Sequence, residues 1–212
     1  MRIGFPVYHL VDLLDVAGPF EMLSWAGFDL TIAARHKGRV QCRGGLVIEA
    51  DASFDDAPRF DILWTPGGDP AALAERMEDR VYLDFLVRQS EGATYVCSVC
   101  EGALLLAAAG LLDGYTVTTH WAFTNCLTDR FPNVMIAPGH PRFWRDRNRL
   151  TGGGISSGLD EALELIRLVQ GEDAARQVQL STQYYPCPPV TSEIPATPAC
   201  PLPSPRSVAI RP

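Results

Sequence analysis

Apolar runs of strand length alternate with longer segments of helical period along most of this chain. "RIGFPVY" from residue 2 predicts a first strand. Gly18-Pro19 predicts a helix start, because proline is preorganised for the first helical position. "DLTIAAR" reads as a second strand, and "GGLVIEADAS" as an arm or hairpin strand. "DILWTPGG" is a strand closing in a glycine turn. "DRVYLDFLVRQSEG" predicts a helix, "TYVCSV" a buried strand, and "EGALLLAAAGLL" a helix rich in Ala and Leu. "YTVTTH" predicts a strand, "WAFTNCLTDRF" a helix, and "FWRDRNRLTGGG" two short strands around a turn. Leu159, Ala162, Leu163, Ile166 and Val169 then form one helical stripe, and "EDAARQVQLSTQ" predicts a last helix.

Such alternation implies an α/β fold, a mostly parallel sheet with helices on both faces. No internal repeat is visible. From Pro186 the character changes: nine of the 17 prolines lie in the last 27 residues. Proline at that density excludes regular helix and central strand. The expected organisation is an α/β domain over 1–185 and a proline-rich arm or disordered end over 186–212, which could strap a dimer partner.

Composition narrows the function. The net charge of −7, without any Lys/Arg cluster, argues against polyanionic partners such as nucleic acid. No run approaches the ~20 apolar residues that span a bilayer, and Pro6, His9, Asp12 and Asp15 interrupt any export signal near the start. The six cysteines (42, 97, 100, 126, 187, 200) are scattered, and a chain of 212 residues can fold without covalent staples. Reduced thiols in a cytoplasm are the expectation.

In open α/β sheets ligands gather at the carboxyl ends of the strands. Asp15 follows the first strand, Gly67-Gly68 closes "DILWTPGG", and Cys100 closes "TYVCSV". A strand-to-helix join at Cys100, with Glu101-Gly102 next, resembles a nucleophile elbow. There the side chain projects outward, and the start of the helix favours thiolate. The bland alternative is a small buried hydrophobe. Cys97 makes "CSVC" a C-x-x-C, but an extended spacer puts the sulfurs about 10 Å apart, too far for a disulfide. The four histidines (9, 36, 120, 140) lack metal spacing, so no metal and no cofactor are expected.

"LLDVAGPFEML", "DILWTPGG", "SVCEGALLLAAAGLLDG", "TVTTHW" and "LTGGGISSGLDEALEL", in that order, resemble the ThiJ/PfpI superfamily from about Arg2 to about Pro189. Within it the likeness is to the isonitrile hydratase branch and to the sensor domains of AraC-type regulators. The resemblance implies a flavodoxin-like sheet, a homodimer, and a cysteine on the elbow that maps onto Cys100. It also implies an aspartate paired with that cysteine, which maps onto Asp15. Where the hydratase has Thr after the nucleophile, this chain has Glu101; the His that protease members carry there is absent too. A regulator's DNA-binding half is not recognisable in this sequence.

The implied chemistry is hydration of an isonitrile to an N-substituted formamide. Cys100 is the nucleophile, Asp15 the acid/base, and Glu101 either a replacement acid or a complement to the helix dipole. Backbone N–H groups around Gly67, Gly68 and Glu101 are candidates to cradle developing charge. Gly153, Gly154 and Ile155 are candidate pocket contacts, and His120 a candidate acid/base or a hydrogen-bonded structural group. Glu21 reads as a helix-start carboxylate, and Trp64 and Trp121 as core, dimer packing or pocket wall. Two other functions compete: a ligand or peroxide sensor without turnover, and a glyoxalase- or deglycase-like enzyme.

Overall fold

The structure is a computed structural model describing residues 1–203; the last part of the expected arm lies outside the described residues. Its frame is a seven-stranded sheet in the order β10-β11-β7-β6-β1-β2-β5. The strands are β1 (Arg2–Pro6), β2 (Asp29–Ala34), β5 (Ala52–Ser53), β6 (Ile62–Thr65), β7 (Tyr95–Ser98), β10 (Phe143–Asp146) and β11 (Arg149–Gly152). All neighbours are parallel except the β10–β11 hairpin. Strand β6 is buried at every position, as a strand covered on both faces must be. The doubly wound α/β expectation holds.

The "GGLVIEADAS" region is a hairpin, β3 (Gly38–Gln41) against β4 (Val47–Ala50), running on into β5. "YTVTTH" yields only β8 (Thr116–Val117), paired with β9 (Met135–Ile136) outside the main sheet. The helices are α1 (Leu13–Trp25), α2 (Pro70–Glu78), α3 (Arg80–Ser90), α4 (Gly102–Ala108), α5 (Thr124–Arg130), α6 (Ser157–Gln170) and α7 (Glu172–Ser181). The sequence reading lacked α2; Asp69 caps it by accepting from the Ala71 and Ala72 N–H groups. Among the described residues no helix is long and apolar enough to cross a membrane.

Three expectations need correction here. Helix α1 starts at Leu13, six residues before Pro19, so Asp15 lies in its first turn and not in a loop. Pro19 is tolerated inside because the carbonyl four residues back, that of Asp15, finds another donor: the Trp64 indole at 3.2 Å. Glu21 is therefore mid-helix and exposed, where it accepts from the Trp25 indole at 2.9 Å. Finally, Cys126 and Cys200 are disulfide-bonded, not reduced. The arm folds back until Cys200 meets α5, a proximity that scattered cysteine positions could not reveal.

Candidate functional site

Because the sheet is parallel, the carboxyl ends of β1, β6, β7 and β11 open onto one edge. Cys100 follows β7 and adopts φ 58°, the left-handed region a non-glycine residue rarely occupies. Its backbone is pinned on both sides. The Cys100 N–H donates to the Gly153 carbonyl at 2.8 Å, and its carbonyl accepts from Thr119 Oγ1 at 2.7 Å. Two neighbouring loops thus impose the strained conformation. Gly102 completes the elbow: a Cβ there would lie 2.0 Å from the Thr65 carbonyl oxygen, so only glycine lets α4 start against β6.

The elbow does not present an exposed thiolate. Cys100 is fully buried, and burial pushes its thiol well above the ordinary range; the Asp15 and Glu101 carboxyls beside it push the same way. Helix α4 has only seven residues, so its dipole is short, and desolvation wins. The expectation of an outward-pointing, acidified thiol is therefore corrected to a protonated thiol at the floor of the site. The Ile155 N–H faces the sulfur. Cys97 is free and buried in β7 opposite Leu150.

Two carboxyls flank the sulfur. Asp15 is fully buried; its Oδ2 accepts from the Gly67 N–H at 2.8 Å, and its Oδ1 has no hydrogen-bond partner among the described residues. Burial and then Glu101 raise its pKa well above the carboxylate range, against the pull of the Gly67 bond. Glu101, 5% exposed, is pushed by burial from 4.5 to about 7, and its contact with the thiol opposes that rise. Gly67 holds the pair together: a Cβ there would come within 2.4 Å of Glu101 Oε2 and 3.0 Å of Asp15 Oδ2. The Gly67 N–H is thus committed to Asp15, and Gly68 bridges to Val11.

A cavity of about 340 Å³ is lined by Leu14, His120, Trp121, Gly153, Gly154 and Ile155, among others. It adjoins Cys100 through Gly153, whose carbonyl takes the Cys100 N–H, and Ile155, whose N–H faces the thiol, while the sulfur itself lies behind its lining. The His120 ring lies over Gly154, whose Cβ would meet it at 2.5 Å. Its Nδ1 accepts from the Ala122 N–H at 3.2 Å, capping the short helical turn Trp121–Phe123, and burial lowers its pKa. Trp64 belongs to the core and Trp121 to the pocket wall.

Three residues escaped the sequence reading. Asp12, which precedes α1, joins Asp15, Cys100 and Glu101 in a set whose donor atoms all lie within 4.8 Å of one another, a geometry able to hold a cation. Burial raises the pKa of Asp12, and Arg43 at 3.6 Å opposes the rise. The Tyr8 hydroxyl is buried without a partner among the described residues, 2.9 Å from where a Gly68 Cβ would stand. Glu161, on α6, is fully buried against Gly152 and held strongly in the neutral form by desolvation. The "DLLD" spacing was the one available signal, for Asp12; Tyr8 and Glu161 carried none.

Residues 1–168 match the DJ-1/PfpI family model. The chain is 39% identical over 198 residues to isonitrile hydratase of Pseudomonas putida, covering 93% of this chain and 84% of that one. It is 33% identical to the HTH-type transcriptional regulator GbdR of Pseudomonas aeruginosa over 83% of this chain, which spans about half (48%) of that regulator's length. A solved ThiJ/PfpI family protein from Pseudomonas syringae superposes with a TM-score of 0.83 at 34% identity, covering 89% of this chain and 77% of that one.

Proposed function

The chain belongs to the DJ-1/PfpI family, and on that premise we propose that it is a cofactor-free cysteine hydratase acting on small uncharged molecules, with isonitriles as the substrate class. The observation that carries the reading is the Cys100 thiol held between the Asp15 and Glu101 carboxyls. A site in which burial holds Asp15 neutral and raises Glu101 to about 7 suits a neutral substrate, because the dry surroundings disfavour bringing in further charge.

The terminal carbon of an isonitrile bears a lone pair and accepts a proton. The S–H proton passes to that carbon, relayed by the Asp15 or Glu101 carboxyl. The sulfur bonds to the same carbon, giving a thioimidate of Cys100. Water then adds to this carbon: its oxygen forms the C–O bond, and one proton goes through the carboxyl pair to nitrogen. Collapse breaks the C–S bond, returns the hydroxyl proton to sulfur, and releases the N-substituted formamide. No net charge or electron is consumed. Glu101, poised at about 7, can both give and take a proton near neutrality. The Ile155 N–H, which faces the sulfur, stabilises charge developing there.

The test is incubation with an aliphatic isonitrile and quantification of formamide for wild type, Cys100→Ser, Asp15→Asn and Glu101→Thr. Turnover abolished by Cys100→Ser supports the reading; wild-type rates in that variant end it. The kinship with GbdR favours a second reading, a sensor that binds a ligand at this pocket without turnover. Peroxide sensing is the weaker form of it, since that chemistry needs a thiolate and this thiol is held protonated. The proposal extends to a homodimer, checked by light scattering, and to a cytoplasmic location, where the Cys126–Cys200 bond would be open to reduction, checked by fractionation of the source cells.

A further inference from the structure

We propose that the proline-rich arm supplies the outer wall of the cavity beside Cys100 through Ile194, and that the Cys126–Cys200 disulfide fastens it there, so that a dithiol opens the site to bulkier molecules. The inference rests on reading this cavity as the functional pocket, but not on the isonitrile chemistry.

Ile194 lines the cavity together with Leu14, His120 and Ile155. It is half-exposed, so one side of it faces solvent while the other narrows the pocket. How the arm is held decides whether that wall is permanent. Behind Ile194 the chain is tied where the Tyr184 hydroxyl donates to Asp160 at 3.1 Å. Ahead of it, the disulfide joins Cys200 to Cys126 on α5. Asn125 donates to the Pro198 carbonyl at 2.8 Å, Arg130 donates to the Leu202 and Pro203 carbonyls, and Leu202 is buried. Between these anchors, among the described residues, 186–197 make no hydrogen bond or ion pair with the body of the protein. Prolines at 186, 188, 189 and 195 keep that span extended, so it acts as a strap whose position is set by its ends.

The far anchor and the pocket share one segment. His120 caps the turn that leads into α5, and α5 carries Cys126 and Arg130. A pull on the disulfide is therefore referred to the same short helical unit that walls the cavity. Without the covalent link, the far end keeps, among the described residues, a few hydrogen bonds to half-exposed groups and one buried leucine, against the entropy of ordering the whole strap.

Opening is thiol–disulfide exchange. A dithiol's thiolate attacks Cys200, the less buried sulfur, releasing Cys126 as a thiol. The second thiol of the reagent then displaces Cys200. The protein S–S bond is broken, two cysteine thiols form, and the reagent leaves as its own disulfide.

The experiment uses the full chain and reads covalent labelling of Cys100 by site-resolved mass spectrometry. The probes are iodoacetamide, which is small, and a pyrenyl maleimide, which is bulky. Because the Cys100 thiol is held protonated, labelling is run at raised pH until the small probe modifies Cys100 measurably, and no labelling of Cys100 by either probe after reduction counts against the proposal. Reduction with dithiothreitol and removal of the reagent is expected to raise the bulky-to-small labelling ratio at Cys100 about tenfold. Cys200→Ser should reproduce that rise without reductant, and Ile194→Ala in the oxidised protein should give part of it. An unchanged ratio under reduction and in Cys200→Ser overturns the proposal. So does finding Cys126 and Cys200 fully alkylatable before reduction. Labelling needs no turnover, so a protein inert toward isonitriles still answers the question. One that hydrates them with an unchanged ratio sinks the strap alone.

Discussion

The indole N–H of Trp64 donates to the backbone carbonyl of Asp15 at 3.2 Å, the acceptor that Pro19, four residues on, has no N–H to fill. A core tryptophan on β6 thereby closes a gap in α1 at the very residue whose side chain reaches the sulfur. Trp64→Phe is expected to destabilise the protein by about 1–3 kcal/mol, the cost of a buried carbonyl without a partner. Pro19→Ala restores a helical N–H to that carbonyl, so the penalty should shrink in the double variant. Urea denaturation of the four-member cycle measures this; equal penalties in both backgrounds would show that ring packing, and not the bond, matters.

Glu101 sets a pH dependence. Its pKa rises from 4.5 to about 7 on folding, so between those values the folded state binds more protons than the unfolded chain. That contribution to stability is complete below pH 4.5 and is lost as pH rises through about 7; in magnitude it is about 3 kcal/mol. Asp15 and Glu161, raised by burial in the same way, add in the same direction. Thermal melts should therefore fall between pH 5 and 8, and Glu101→Gln should flatten the fall. A melting temperature that rises over this range would contradict the assignment.

The same carboxyl governs rate. As a proton donor it must be protonated, so kcat/KM for an isonitrile should decline above pH 7. In Glu101→Thr that limb should move or vanish while turnover persists. An unmoved limb in this variant would assign the titration to another group.

Glycines at two close approaches should fail differently. At Gly102 a methyl would collide with the Thr65 backbone carbonyl at 2.0 Å, and neither backbone can move, so Gly102→Ala should cost about 2 kcal/mol or more of stability. At Gly67 a methyl would meet the Glu101 carboxyl at 2.4 Å, which can swing aside, and the Glu101 backbone nitrogen at 2.7 Å, which cannot. Gly67→Ala should therefore lose about 1–3 kcal/mol of stability in urea denaturation and also lower kcat about tenfold or more by parting Asp15 from Glu101.

Zinc should inhibit. Asp12, Asp15, Cys100 and Glu101 offer four donor atoms in reach of one ion, and all four must lose protons to bind it. Inhibition should therefore strengthen from pH 6 to 8, be reversed by a chelator, and weaken in Glu101→Thr. Inhibition that is independent of pH would place the ion elsewhere.

The positions of β1, β2, β6, β7 and β11 and the elbow at Cys100 were legible in the chain, because apolar periodicity and a Cys-Glu-Gly join are local properties. So was the meeting of Asp15 with Cys100, through the superfamily motifs that bear them. The start of α1 was misjudged because Pro19 is a strong local signal, and the donor that overrules it, Trp64, is 45 residues away. Tyr8, Asp12 and Glu161 enter the site or its surroundings only when the sheet edges converge. The ionisation of Cys100 went the opposite way to its local setting: a helix start argues for thiolate, whereas the surrounding protein removes water and adds two carboxyls. What sequence alone determined here is what neighbouring residues decide among themselves, namely periodicity, turns and the elbow. Burial, proton affinity and the joining of Cys126 to Cys200 depend on which distant atoms displace solvent, and only the folded chain selects those.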